Sequence, residues 1–334
     1  MKLNTIVDKK KTKSFLITHV PQELETVFPL INSIENNSNI YVIFFREDLY
    51  NYYRKNEIFK EIKNKKKIKI IFLKNIIQKF FASIYFFTIS NSLFIGDGIK
   101  PLYSNFFSKI NSILNKKIYI FRHSTSTLLK VNYINTPINN NFIKKHDYLV
   151  PTEGCKKRLN LLKFKKVKVI GEVYKDKEYK LLLKKKYHFG KKFILLFSYK
   201  SNNSCFKYSD KILHYKTIIE ELKKKNFNYK LIIKPHPTEK ILEIKKLMSL
   251  LKFTNYKISN KNSLALALNA KFVICLGTSA GLLSYKNNIP TINFYLFSSS
   301  KKEERDVNSK SVNFLEKIPN AYNAAQLNSF LSSI

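Results

Sequence analysis

Short apolar runs rich in β-branched residues recur along the chain, each followed by a longer amphipathic or lysine-rich stretch. The runs read as strands at 14–19, 40–45, 68–73, 92–96, 117–121, 147–150 and 167–170, then at 192–198, 229–234, 255–258, 271–276 and 290–295. Runs such as FILLF and FVICL are apolar on both faces, which suits parallel strands covered on both sides. Helical spacing fills the gaps. Ile241, Leu242, Ile244, Leu247, Met248 and Leu251 form one stripe over 238–252, and 208–225 and 262–270 repeat the pattern. The apolar stretch at 80–96 reads as a buried helix running into a strand. It is short for a bilayer span and is interrupted by Ser, Thr and Asn.

Strand–helix–strand alternation over the whole length predicts an α/β protein with parallel sheets. Twelve strands are many for one open sheet, so the pattern predicts two Rossmann-like, doubly wound domains facing a cleft. The first spans 1–175 and the second 190–318, with a lysine-rich linker at 174–191 and a C-terminal helix at 319–334. Open α/β sheets bind ligands at the carboxyl ends of their strands. The residues that follow each strand are therefore the candidates.

Glycine is scarce, with seven in the chain, and four of them fall at two strand ends: Gly96 with Gly98, and Gly277 with Gly281. In FIGDGIKP, Asp97 stands at a strand's carboxyl end with little steric cover, and Pro101 opens a helix. A carboxylate there can take a proton from a hydroxyl nucleophile; it can equally cap a helix or close an Asx turn. In KLIIKPHPTEK, an apolar strand ends in Lys234 and Pro235, and His236 is held between that proline and Pro237. Its imidazole can donate to a phosphate oxygen, or simply pack in the turn. In CLGTSAGLLSY, Gly277, Thr278 and Ser279 lead into a helix whose free N–H groups and hydroxyls favour an anion; the same residues make an ordinary N-cap. His123, in FRHSTST after another strand, is a candidate acceptor contact alongside Gly96 and Gly98.

Charge adds a field without naming a site. The formal net charge is +38, almost all of it lysine, because only five arginines occur. Such a surface attracts phosphates, anionic lipids and acidic sugars. A basic nucleic-acid-binding protein is a reading this charge leaves open. Against it, the charge is spread along the chain, arginine is scarce and no RNA-binding motif is present. His146, His188 and His214 sit among lysines and read as surface residues. The three cysteines have no metal-ligand spacing, no acidic pair marks a metal site, and the count suits a reducing cytoplasm. The localisation expected is cytoplasmic, with peripheral contact to an anionic inner-membrane surface left open.

The order GDG (96–98), HP (236–237) and GTS (277–279) resembles the bacterial sialyltransferases of the two-Rossmann (GT-B) type. KPHP followed by a hydroxyl motif is also similar to capsule, Kdo and glycerophosphate transferases, and VKVIGEVYKD (167–176) resembles their inter-domain segment. The resemblance implies an inverting, metal-independent transfer of sialic acid from CMP-sialic acid to a hydroxyl of a surface glycan, lipooligosaccharide or capsule, with no cofactor besides the donor. It implies Asp97 as the base and His236 as the contact to the leaving phosphate. Lys234, Pro237, Gly277, Thr278 and Ser279 would hold the donor. Gly96 stands where that family carries its first acidic residue. CMP-Kdo, CDP-glycerol or another nucleotide sugar is the alternative donor.

Overall fold

The computed structural model describes residues 12–18, 22–34, 38–121, 141–150, 153–161, 163–171, 175–187, 189–190, 192–201, 206–225, 228–236, 239–276, 278–296 and 318–334. The chain forms two compact units, and among the described residues the division falls between Leu182 and Leu183.

The first unit runs β1 (Lys13–Ile17), α1 (Gln22–Asn32), β2 (Ile40–Phe44), α2 (Glu47–Arg54), α3 (Glu57–Lys65), β3 (Ile68–Phe72), α4 (Ile76–Ile89) and β4 (Ser92–Gly96). It continues with α5 (Pro101–Leu114), β5 (Lys117–Phe121), α6 (Asn141–Lys145), β6 (Asp147–Val150), α7 (Glu153–Leu161) and β7 (Val167–Val169); α8 (Lys177–Lys186) follows and spans the division. Its strands lie parallel in the order β3-β2-β1-β4-β5-β6-β7.

The second unit runs β8 (Phe193–Phe197), α9 (Tyr208–Lys224), β9 (Leu231–Lys234), α10 (Ile241–Leu250), β10 (Tyr256–Ile258), α11 (Ser263–Asn269) and β11 (Ala270–Cys275). It ends with α12 (Ser279–Lys286), β12 (Thr291–Phe294), β13 (Asn320–Ala321) and α13 (Ala324–Ser332). Its strands are also parallel, in the order β10-β9-β8-β11-β12-β13. Both units are therefore Rossmann-like, as the pattern predicts. All twelve expected strands form; β13, two residues long, carries too little pattern to be read in advance.

The FILLF run shows why this sheet sits between two layers of helix. Its side chains alternate between faces. Ile194 and Leu196 pack with Ile218 and Leu222 of α9, Leu247 of α10 and Leu327 of α13. Phe193, Leu195 and Phe197 pack on the other face with Leu266 and Ala267 of α11.

The division between the units falls within the lysine-rich stretch read as a linker, which forms α8 and buries Tyr179, Leu182 and Leu183. Three sequence expectations are corrected. The helix within 80–96 is not buried throughout: α4 exposes Phe80, Phe81, Ile84 and Tyr85. The stripe on α10 is narrower than expected, since Ile244, Leu247 and Met248 are buried but Ile241 and Leu242 are exposed. His146 is half-buried, and His214 lies within the core; His188 lies outside the described residues.

His214 sits between Phe206, Tyr215 and Phe294, with its ring stacked on Phe294 at 5.0 Å. Its Nε2–H donates to the Phe294 carbonyl at 3.1 Å, while Nδ1 has no hydrogen-bond partner among the described residues. Burial, which the Phe294 carbonyl only partly offsets and nearby Lys211 reinforces, lowers its pKa to about 4. The unfolded imidazole takes up a proton near pH 6.5, whereas the folded one resists until about pH 4. Stability therefore holds above about pH 7 and falls as the pH drops through that window. The loss expected from His214 alone is about 2 kcal/mol between pH 8 and pH 5, read by urea denaturation at each pH. His214→Gln should flatten the slope there.

Candidate functional site

In both sheets the order of strands along the sheet reverses between the first and fourth strands, β1/β4 in one and β8/β11 in the other. At such a point the neighbouring crossovers leave on opposite faces and open a crevice at the carboxyl ends. Asp97 follows β4, and Thr278 follows β11. His236 follows β9, on the far side of β8 from β11. In the second unit, then, the ends of β9, β8 and β11 are consecutive, and the outer two are roughly 10 Å apart. That interval suits a phosphate held from both sides.

The turn after β9 is held from below by a buried ion pair. Glu239 does not start the next helix, as the sequence suggests, but turns inward ahead of α10. Its Oε1 accepts from Ser198 Oγ at 2.7 Å and from the Lys211 ammonium, and both charged side chains are fully buried. Its Oε2 accepts from the His236 backbone N–H at 3.0 Å, and the Glu239 N–H donates back to the His236 carbonyl at 2.9 Å. Tyr215 Oη donates to Ser198 Oγ at 2.7 Å. Burial, with the Glu239 charge behind it, raises the Tyr215 pKa and keeps that phenol protonated. One carboxylate thus joins β8, the β9 turn and α9. Burying a charge is tolerable only when its partners satisfy it, as here.

Above this base the His236 ring is half-buried and lies 5.8 Å from the Tyr199 ring, which follows β8. Burial holds its pKa below the ordinary imidazole value; Lys200 and Lys234 push the same way, and Glu239 opposes them. At neutral pH it is a neutral donor. The Lys234 ammonium donates to the Asn260 carbonyl at 3.3 Å, at the end of β10.

Thr278 is the N-cap of α12, its Oγ1 accepting from the Gly281 N–H at 3.1 Å. The capping role is therefore real. It uses the oxygen as acceptor and leaves the hydroxyl proton a donor. Gly281 packs so closely on Cys275 that a methyl at that position would overlap its Sγ. Cys275 itself is buried, and burial pushes its thiol up to about 12, so it is not a nucleophile at neutral pH. Ser279 is the first residue of α12; Pro237, Gly277 and His123 lie outside the described residues.

Asp97 departs from expectation. It is 4% exposed rather than open, in a turn where Gly96 and Gly98 are buried too. Its N–H donates to the Phe121 carbonyl at 2.9 Å, and its Oδ2 accepts from Tyr148 Oη at 2.7 Å. The cover comes from β6, two strands away, which strand-end reasoning on a single segment does not see. Sequence reasoning also passed over a concavity of about 750 Å³ at the ends of β2 and β3, lined by Arg46, Asp48, Leu73, Lys74 and Lys79. Arg46 and Asp48 pair there at 2.6 Å. Among the described residues no group of three or more His, Cys, Asp or Glu is placed to hold a metal ion.

No family model and no curated protein matches this sequence. Solved structures match over nearly its whole length. The UDP-GlcNAc 2-epimerase from Methanocaldococcus jannaschii is similar with a TM-score of 0.59 at 13% identity, covering 96% of this chain and 92% of that one. E. coli heptosyltransferase WaaC with ADP gives 0.54 at 8%, covering 96% and 99%. The α/β-galactoside α-2,3-sialyltransferase from Photobacterium phosphoreum gives 0.53 at 13%, covering 93% and 99%. The fold shared with these proteins is the GT-B type, two Rossmann-like units with parallel sheets.

Glu239→Gln leaves the Lys211 ammonium buried without its counter-charge. It should cost about 3–5 kcal/mol in urea unfolding. Adding Lys211→Met should recover part of that loss, so the double variant is more stable than the sum of the two single changes predicts.

Proposed function

We propose that this chain is a glycosyltransferase that takes a nucleotide-activated sugar on its second unit. The observation that carries the reading is the arrangement after β9, β8 and β11. There a neutral imidazole on a clamped turn and a capping hydroxyl at a helix N-terminus stand at strand ends on either side of β8 in a Rossmann-ordered sheet. Solved neighbours with the same fold are described with ADP and with UDP-glucose, which supports a nucleotide-sugar donor. The GDG, HP and GTS order supports CMP-sialic acid as that donor and a surface glycan as acceptor.

In this reading the acceptor hydroxyl oxygen attacks the anomeric carbon. The bond from that carbon to the CMP phosphate oxygen breaks, and the configuration inverts. His236, with its pKa held low, donates a hydrogen bond to the departing phosphate rather than a full proton. The Thr278 hydroxyl and the α12 N-terminus take up the charge that develops there. Asp97 receives the hydroxyl proton. Tyr148 occupies that carboxylate in this structure, so the acceptor must reach Asp97 beside or in place of the phenol. The epimerase neighbours favour a second reading, in which a UDP-linked sugar is epimerised instead of transferred.

A thermal-shift panel of CMP, CDP, UDP, ADP and GDP separates these readings, since a ligand bound by the folded state raises the melting temperature. CMP should give the largest shift, and His236→Ala and Thr278→Val should each reduce it. A preference for UDP with 2-epimerised product would replace the transferase reading.

Asp97→Asn keeps an oxygen for Tyr148. It should leave the melting temperature and the CMP shift nearly unchanged while cutting transfer by about 100- to 10,000-fold. Turnover at the parent rate would remove Asp97 from the chemistry.

A further inference from the structure

Helix α4 is apolar on both sides, and only one side is covered. Ser83, Phe86 and Phe87 are buried, with Phe86 against Tyr41 of β2 at 5.3 Å and Phe87 against Phe107 of α5 at 5.3 Å. On the other side Ile77 and Phe81 are each 64% exposed and Tyr85 is 55% exposed, with Ile84 between them at 37%. These positions recur at i, i+4, i+7 and i+8, a single helical stripe. The patch reaches α5: Phe80 stacks on Phe106 at 4.6 Å, and Leu102, one turn earlier, is 68% exposed. A helix lying on a sheet ordinarily turns a polar face outward. Clustered exposed side chains of this size mark an interaction surface.

Charge identifies the occupant. Between Glu61 and Asp147 the chain holds one acidic residue, Asp97, and it is buried. Neither α4 nor α5 therefore carries a carboxylate, while Lys74 precedes α4, Lys100 precedes α5, and Lys116 and Lys117 follow it. Carboxylates from a neighbouring element, Glu47 and Asp48 of α2, border the concavity beside Lys74 and Lys79, and Asp48 is paired with Arg46. A second copy of the same face would bring these lysines against each other. An anionic bilayer meets both features: acyl chains accept the apolar side chains, and headgroup phosphates accept the ammonium groups. Among the described residues no helix is long and apolar enough to cross a membrane, so contact through this face is interfacial.

We propose that the exposed stripe of α4, with Leu102 of α5, docks the first unit on the surface of an anionic lipid bilayer. Ile77, Phe81 and Tyr85 enter the interface, and the lysines at the helix ends engage phosphate headgroups. This inference stands whichever sugar nucleotide the second unit takes.

The chain contains no tryptophan, so Phe81→Trp creates a single fluorescent reporter on the stripe. Vesicles of phosphatidylglycerol and phosphatidylcholine in equal parts should shift its emission to the blue; vesicles of phosphatidylcholine alone should shift it far less. Tyr208→Trp, placed on the second unit at a position 43% exposed, should keep its emission unchanged. Adding Ile77→Asp and Tyr85→Asp to the reporter variant should weaken vesicle binding about tenfold or more in co-sedimentation, with the melting temperature preserved. Equal blue shifts at both reporters would mean adsorption by general charge and would overturn the assignment. So would an unmoved emission at position 81, vesicle binding indifferent to the two aspartates, or a shift that grows with protein concentration without lipid, which would give the face to a second copy.

Discussion

The Glu239 carboxylate is the constraint around which the second unit's site is arranged. A charge with no exposed side-chain surface must be satisfied by its neighbours or not be ionised at all. Satisfying it here takes Lys211 and, through Tyr215, a second position on α9, together with Ser198 after β8 and the backbone of His236 after β9. Those groups come from three elements, so the network closes only when β8, β9 and α9 are all in place. The local shape of the HP turn is thereby tied to the packing of the whole layer. A turn with the phosphate-binding role proposed for this one needs such support, because a donor displaced by even an ångström loses much of its value to a developing charge. Prolines on either side of His236 limit the unfolded chain, but the carboxylate fixes which conformation is kept.

That support also sets the chemistry available above it. Glu239 alone would favour a protonated imidazole. Burial outweighs it, and Lys200 and Lys234 add to burial, so the ring stays neutral near pH 7. A nucleotide monophosphate is already a competent leaving group and needs charge stabilisation more than a proton. In the proposed reading, a neutral N–H donor beside lysines would provide this without the cost of burying another cation, and the same lysines that depress the imidazole would draw the anion in.

The strands were legible because a parallel sheet covered on both faces demands unbroken apolar β-branched runs, and FILLF and FVICL leave little choice. The strand-end positions of Thr278 and Asp97 followed from where those runs stop; that these ends lie at the switch points depends on a strand order the sequence does not display. What stayed hidden was set by partners distant in sequence. Glu239 reads as the acid of a helix's first turn, and only Lys211, 28 residues earlier, turns it inward. Asp97 looks open in its own segment and is covered by Tyr148, 51 residues on. His214 has lysines for sequence neighbours and aromatic rings for spatial ones. The apolar outer stripe of α4 misled in the opposite sense: burial is the default explanation for Phe and Ile, and hydrophobicity alone cannot distinguish a core from an interface.

In a chain with 61 basic and 23 acidic residues, the two signs carry unequal information. Lysine is so common that most instances need no local reason, and an exposed one says little. A lysine with no exposed surface is different, because burial selects against the charge unless a partner is built for it. Lys211 has Glu239, and Lys13, 2% exposed, donates to Ser38 Oγ at 2.7 Å. Acids carry the complementary information. Over the long interval from Glu61 to Asp147 a solvent-facing acid would have relieved the self-repulsion of many lysines, yet the one acid present is turned inward between two glycines. Surface electrostatics does not account for a carboxylate in that position. Its worth must lie in what it bonds, whether Tyr148 within the fold or a hydroxyl that displaces it. The same scarcity leaves α4 and α5 without a carboxylate of their own.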